Sequence, residues 1–266
     1  MRTLAVLLLV LAVAACERKS EAQMPPPGPP PPPAPFTFTS KSPAAEVSLT
    51  LPQNLAAHPV LHHRLYASGK RQLTDFMAMA ARDRARAEQK GADRPPAAVY
   101  ERTSAWRIAA QTSRLISLIE DWHVYSGGAH PNHGTTVMLW DKASDVEVRQ
   151  SALFRRDVDY VALDRVLCEA VRKAKVARLG VKALEGEFWT CPQWKYARAA
   201  MTPSTIPGKF GGLTFLFDPY VIGAYAEGDY AVTIPQESFR SAVLPSYQPQ
   251  FAGAPAAAPA KAAPAP

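Results

Sequence analysis

Histidine and aspartate side chains in the middle of the chain have the types and spacing of a possible metal site. His130 and His133 lie three positions apart, and His123 precedes them. Asp121 and Asp141 would add oxygen ligands to these nitrogens. However, a proline stiffens the turn between the two histidines, and no known metal pattern such as His-Glu-x-x-His is present. We therefore keep the three histidines as weak metal candidates, and predict no metal, no other cofactor and a loop histidine bonded to the backbone.

The same region contains the residue types of a serine hydrolase. Ser126, His130 and Asp121 would supply the nucleophile, the base and the acid. A nucleophilic serine usually lies on a sharp turn of the form Gly-x-Ser-x-Gly, and Ser126 does not have this pattern. The sequence thus assigns no catalytic residue, and we expect that the chain is not an enzyme.

Aromatic side chains offer a different chemistry, which is stacking on sugar rings. At strand positions, such residues more often pack in the core or pair across strands. Trp189 and Trp194 flank Cys191 in an irregular segment, so we expect these two rings to be exposed or to shield a disulfide. The aromatic candidates are Trp122, Trp140, Trp189, Trp194, Tyr125 and Tyr220.

The N-terminus has the layout of a bacterial export signal. Arg2 supplies the positive charge, and an apolar run follows over residues 4–13. This run is shorter than the ~20 residues that a membrane-spanning helix needs, which disfavours a transmembrane segment. Val13-Ala14-Ala15-Cys16 resembles the lipobox, whereas an ordinary signal peptide is the alternative. We predict a signal peptide at 1–15 and acylation of Cys16. Glu17, in place of an aspartate, favours the outer membrane over the inner one, with the protein facing the periplasm.

Both ends of the remaining chain are biased in composition. Residues 16–35 are rich in proline, which favours a polyproline II tether over a partner-docking motif. Residues 252–266 contain only Ala, Pro, Lys and Gly, which predicts a disordered tail. The formal net charge of +7 would suit anionic glycans or lipid headgroups, or only a soluble surface. No dense basic run is present, so we expect no nucleic-acid partner.

Two cysteines remain when Cys16 is used by the lipid. They are Cys168 and Cys191. Because the periplasm is oxidising, two leftover cysteines in an exported domain most often pair. The alternative is two separate buried thiols. We predict a disulfide that joins the second helix to the irregular segment after it.

Residue periodicity predicts an α+β fold with a twisted antiparallel sheet and two main helices. The first helix begins near Pro59; the second begins at Asp157, which caps it, and ends at Gly180. Basic residues near the end of the second helix are explained by the helix dipole. Its predicted buried stripe is Leu163, Val166, Leu167, Ala170, Val171, Ala174 and Ala177. Strands are predicted at 36–38, 47–49, 100–112, 115–125, 135–140, 146–148, 213–217 and 230–234.

Two segments resemble a known family in sequence and in order. The first is Tyr125-Ser126-Gly127-Gly128-Ala129-His130-Pro131-Asn132, directly after a predicted strand. The second contains Asp218-Pro219-Tyr220 and Tyr225-Ala226-Glu227-Gly228. Together they resemble the RsiV-like C-terminal domain, which is domain of unknown function 3298, over residues 113–251. Residues 36–112 resemble its PdaC-like companion, domain of unknown function 4163, and we expect the two parts to form one compact unit.

This resemblance implies a protein of the cell envelope that binds rather than catalyses. It indicates a non-catalytic lipoprotein, attached to the membrane by its lipid, that binds a cell-wall component such as a glycan, or an envelope protein. The alternative is a peptidoglycan-directed hydrolase or metal-dependent enzyme that uses the His130 loop. The candidate binding loop comprises Tyr125, Gly127, Gly128, His130 and Asn132, and the candidate site residues of the second motif are Asp218, Pro219 and Tyr220.

Overall fold

A six-stranded sheet and a three-stranded sheet form the β-structure of the chain. The computed structural model describes residues 33–89, 98–185 and 189–256. In this part the first sheet has the order β1 (Thr37–Lys41), β2 (Ala45–Thr50), β3 (Tyr100–Gln111), β4 (Leu115–Tyr125), β5 (Asn132–Asp141) and β6 (Val146–Glu147). The second sheet has the order β7 (Ala199–Pro203), β8 (Phe210–Phe217) and β9 (Tyr230–Pro235). Two long helices accompany them, α1 (Pro59–Gln89) and α2 (Tyr160–Leu179), so the predicted α+β class is confirmed.

Helix α1 packs on the first sheet and explains its one parallel strand pair. Its apolar residues recur at helical spacing and pack against the side chains of β2. At Gly69 the helix lies so close to the sheet that a Cβ would be 2.9 Å from a methyl carbon of Leu49. Because α1 carries the chain back across the sheet, β2 and β3 run parallel. The sheet is therefore mixed and is followed by a second sheet, whereas the sequence predicted one antiparallel sheet.

Strand β4 is covered on both faces. Ile116 and Leu118 pack in the core beneath α1, whereas Leu115 belongs to the core of the second sheet. On the same face as Leu115, the Ser117 hydroxyl accepts a hydrogen bond from the backbone N–H of Met201 in β7, at 3.0 Å. The two sheets are thus joined by apolar packing and by a direct hydrogen bond.

Helix α2 packs on the three-stranded sheet. The side chain of Asp159, rather than the predicted Asp157, caps its first turn by accepting from the N–H of Ala162 at 3.1 Å. Gly180 ends it as predicted, with a φ of 80°. The predicted stripe is confirmed at its centre but wrong at Ala177, which is exposed. Lys175 is buried instead, because a carboxylate of the second sheet's loop receives its ammonium group.

The predicted disulfide between Cys168 and Cys191 is confirmed. It joins α2 to the irregular segment before β7, with the two Cα atoms 5.0 Å apart. Of the two expectations for Trp194, exposure or shielding of the disulfide, exposure is wrong: its ring packs in the core among phenylalanines, with its centroid 4.7 Å from that of Phe215. Trp189 is partly buried against the same core. The disulfide therefore fixes a segment that contributes a large side chain to the interior.

Regular hydrogen bonding extends further toward the C-terminus than the amino-acid composition predicts. Residues 252–256, predicted as the start of a disordered tail, pair with the second sheet: Ala252 donates to the carbonyl of Phe210 (3.1 Å) and Ala256 to that of Pro203 (2.8 Å). Residues 257–266, the predicted signal peptide, Cys16 and the tether up to residue 32 lie outside the described residues. Within the described part, no helix has both the length and the apolar character needed to cross a membrane.

Candidate functional site

The two sequence motifs lie side by side at one end of the sheets. The first forms the loop between β4 and β5, and the second follows β8. The imidazole of His130 lies against the ring of Tyr225, with centroids 4.6 Å apart, and the Tyr220 ring lies 5.4 Å from that of Tyr225. The Tyr225 hydroxyl also donates to the carbonyl of Pro131 at 3.3 Å. We call His130, Tyr220 and Tyr225 the ring cluster.

Glycines and backbone hydrogen bonds shape the first motif's loop. Gly127 and Gly128 have φ values of 86° and 107°, which L side chains rarely adopt. The Tyr125 hydroxyl donates to the carbonyl of Gly128 at 3.3 Å. His130 bonds through Nδ1 to the carbonyl of Pro131 at 2.9 Å, as expected of a loop histidine bonded to the backbone. Hydrogen bonds to its own backbone carbonyls thus hold the loop. The His130 ring remains in contact with the ring of Tyr225.

Asp218 connects the second motif to the first sheet. Its Oδ1 accepts from both the N–H and the hydroxyl of Thr135 in β5, at 3.0 and 2.9 Å, and its Oδ2 accepts from Arg198. This approach requires Gly134, because a Cβ there would lie 2.6 Å from the Asp218 carboxylate. Two residues on, Tyr220 has a φ of +70°, an unusual backbone conformation for a tyrosine, and 60% of it is exposed. Asp218 therefore positions the segment that displays Tyr220.

A buried ion pair positions the loop that carries Tyr225. Lys175 of α2 donates to Oε2 of Glu227 at 2.5 Å and to the carbonyl of Ile222 at 2.8 Å. The hydroxyl of Tyr230 donates to the same carboxylate at 2.7 Å. Burial alone would raise the pKa of Glu227, but the hydrogen bonds from Lys175 and Tyr230 outweigh it and lower that pKa. Burial and the neighbouring Glu227 raise the pKa of Tyr230 to about 12.

The histidines do not converge on a metal site. His133 bonds through Nε2 to Oδ1 of Asp229 at 3.0 Å, and His123 is its cross-strand partner. Asp141 instead pairs with Arg114 at 2.7 Å. Among the described residues, no group of three or more His, Cys, Asp or Glu side chains is arranged to hold a metal ion.

Two residues of the conceivable hydrolase triad, Asp121 and His130, contact other groups. Asp121 lies 3.0 Å from the Nε of Arg107, and Nδ1 of His130 is bonded to the backbone. These contacts give Asp121 and His130 partners other than each other.

Comparisons with known proteins agree with this architecture. The family profile described as "Deacetylase PdaC" matches residues 38–133, which include β1 to β4 and the first motif's loop. A DUF3298 family protein from Pseudomonas aeruginosa PAO1 superposes with a TM-score of 0.55 at 15% identity, over 82% of this chain and 94% of that one. The chain combines a PdaC-like segment with the fold of DUF3298 proteins.

A second DUF3298 structure supports the same fold. This protein, from Bacteroides fragilis NCTC 9343, superposes with a TM-score of 0.51 at 18% identity, over 80% of this chain and 93% of that one. A search of curated proteins gives no significant match. At these identities the structural likeness concerns the fold alone. The PdaC match runs past residue 112, where the sequence analysis placed the end of the PdaC-like part.

Several residues that shape the site were not singled out from the sequence. Tyr225 and Glu227 stand in the second motif but carried no assigned role. Lys175 was assigned to the helix dipole, although it continues the four-residue spacing of the buried Leu167 and Val171, and this spacing was the available signal. Arg198 has no comparable signal, because its partner Asp218 is twenty residues away.

Proposed function

We propose that this chain is a non-catalytic binding domain of the cell envelope, and that the ring cluster holds a glycan of the cell wall. The observation that supports this is the meeting of His130 with Tyr220 and Tyr225, which come from motifs about 90 residues apart. Rings that are exposed or partly exposed on segments held by hydrogen bonds make a preorganised surface, which lowers the entropic cost of binding. Amphipathic rings of this kind suit a ligand with both apolar and hydroxyl faces.

The backbone of Tyr220 adds to this argument. A left-handed conformation of a bulky residue costs free energy and persists only where the surroundings impose it. Here Tyr220 lies in a turn that is closed by the N–H of Val221 donating to the carbonyl of Asp218 at 3.2 Å. The Asp218 side chain fixes the start of this turn on Thr135. The result is a ring exposed to solvent beside Tyr225. Such strain is more common at ligand-binding sites than elsewhere.

The test is binding to purified, insoluble peptidoglycan, measured by co-sedimentation. We expect Tyr225→Ala to weaken binding by about tenfold, the effect of losing one ring contact of ~1.4 kcal/mol. Tyr196→Ala is the matched control, because Tyr196 is 75% exposed and is not part of the ring cluster. Equal binding by the wild type and the Tyr225→Ala variant would refute a role for the ring cluster.

The second candidate is a peptidoglycan-directed hydrolase or metal-dependent enzyme at the same loop. The matched family's description names a deacetylase, and the contact between His133 and Asp229 is the kind of pair that transfers protons in catalysis. Incubation of acetylated peptidoglycan with the protein, with and without added divalent zinc, separates the candidates. Release of acetate or of soluble fragments, abolished by His133→Gln, would establish the enzyme in place of the binding domain.

We further propose that Cys16 carries a lipid that anchors the protein to the outer membrane on its periplasmic side. The support is the Val13-Ala14-Ala15-Cys16 sequence after a short apolar run. Labelled palmitate should be incorporated into the wild type and not into Cys16→Ser, and the wild type should fractionate with outer membranes. Incorporation that survives the substitution would contradict the assignment.

A further inference from the structure

A cleft of about 440 Å³ separates the two sheets beside the ring cluster. Stacked sheets usually fill the space between them with interdigitated side chains. Here the facing positions carry small residues, so the space stays open. This volume lies within the range of about 300–1,000 Å³ found for small-ligand pockets. The small residues that face the cleft are Ala109, Ala200, Thr202, Thr214 and Ala231.

The floor of the cleft is aliphatic. Ile119 and Leu216 line it together with the alanines. Phe217 and Tyr230 are the aromatic residues among the described lining residues, and both are buried, at 2% and 3% exposure. The floor therefore offers no ring face for a sugar to stack on. It suits small aliphatic side chains. The hydroxyls of Thr202 and Thr214 bond to each other at 2.7 Å and keep acceptor capacity for an amide N–H.

Groups of both charges surround the mouth of the cleft. Arg107 has 43% of its side chain exposed and bonds through Nε to Asp121, which also lines the cleft. The guanidinium of Arg178 lies 3.9 Å above the ring of Tyr230 and donates to main-chain carbonyls. Within the described part of the chain, it forms no ion pair with a carboxylate. Asp229 has 44% of its side chain exposed beside His133.

We infer that this cleft binds a short zwitterionic peptide with small side chains. Its carboxylate bonds to Arg107 and Arg178, since guanidinium groups match carboxylates in geometry and charge. Its ammonium group lies near Asp229, and its methyl-sized side chains occupy the space above Ala200 and Ala231. A fatty acid has no ammonium group to pair with Asp229. A neutral sugar has no charged group to pair with Asp229 or with the two arginines. This site is separate from the ring cluster and does not depend on glycan binding.

The probe is trialanine, with its affinity for the full chain measured by calorimetry. We expect millimolar or tighter binding, and a loss of about tenfold or more when the carboxylate is amidated or the amine is acetylated, because each change removes a charged hydrogen bond. Equal affinity for trialanine and its amide would overturn the inference. Tighter binding of decanoate than of trialanine would also overturn it.

Four variants locate the site. Arg107→Gln should weaken trialanine binding by about tenfold. Arg102→Gln, on the opposite face of the same strand, is the matched control and should bind as the wild type does. Ala231→Trp should abolish binding by filling the cleft from an exposed position, which spares the fold. Unchanged binding in Ala231→Trp would refute the location, whereas unchanged binding in Tyr225→Ala separates this site from the ring cluster.

Discussion

Replacing Lys175 by methionine tests the buried network that holds the second motif. The change keeps a stem of similar length but removes the ammonium group, which donates to Glu227 and to the carbonyl of Ile222. Removing one member of a buried ion pair costs about 3–5 kcal/mol, because the other charge is left unpaired. Glu227 keeps its bond from Tyr230 and is 17% exposed, so we expect the lower end, about 3 kcal/mol.

The pH dependence of stability distinguishes the loss of the ion pair from poor packing of the new methionine side chain. The folded-state pKa of Glu227 is lowered, so the wild type has its full contribution above the ordinary pKa of 4.5 and loses it as the pH falls through the folded pKa. Without Lys175, only the hydrogen bonds from Tyr230 and Ala224 oppose burial, so the pKa of Glu227 rises relative to the wild type and the carboxylate of the variant is protonated at a higher pH. The difference in free energy of unfolding between the two proteins should therefore shrink between pH 7 and pH 4.

Urea unfolding, followed by the fluorescence of the buried Trp194, measures both quantities. Lys173→Met on the same helix is the control. Its ion pair with Glu169 is exposed, so we expect a change of about 0.5 kcal/mol or less. A loss below about 1 kcal/mol for Lys175→Met, or a loss of equal size at pH 4 and pH 7, would refute the role assigned to this network.

Three further substitutions test single features of the fold by the same urea assay. Replacing both Cys168 and Cys191 by serine should cost about 3 kcal/mol, since the disulfide closes a loop of 23 positions; an unchanged midpoint would contradict this. Asp159→Ala should cost about 1 kcal/mol through loss of the cap, whereas Asp157→Ala should cost little. Gly134→Ala should cost about 1–3 kcal/mol and weaken peptidoglycan binding, because the new methyl group would lie 2.5 Å from the Trp122 ring and 2.6 Å from the Asp218 carboxylate and would displace them; unchanged stability and binding would contradict the role of Gly134.

The pattern of apolar and polar residues predicted the helices and strands well, because secondary structure depends largely on residues that are close together along the chain. Alternation of apolar residues indicated β3 and β4 to within a residue at each end. Strand β7 was missed because Ala199–Pro203 contains two alanines and a proline and shows no alternation. The parallel pairing of β2 with β3 was also missed, because the period of a strand does not identify its partner.

The candidate site was predictable only in part. The motifs indicated the His130 loop and Asp218, and the structure brings both to one place. The buried state of Lys175 depends on Glu227, 52 residues away, and a basic residue near a helix end already had a sufficient local explanation. The cleft results from small residues on strands far apart in sequence, and small residues carry no local signal of the space between them.

The covering of β4 on both faces has a consequence for fragments of this protein. The PdaC-like match ends at residue 133, within the first residues of β5. A fragment cut there would leave β4 as an open sheet edge and uncover the face on which Ser117 receives β7. Unpaired edges of this kind recruit strands from other molecules. We therefore expect residues 38–133 expressed alone to self-associate, so the matched segment is a unit of sequence similarity and not of independent folding.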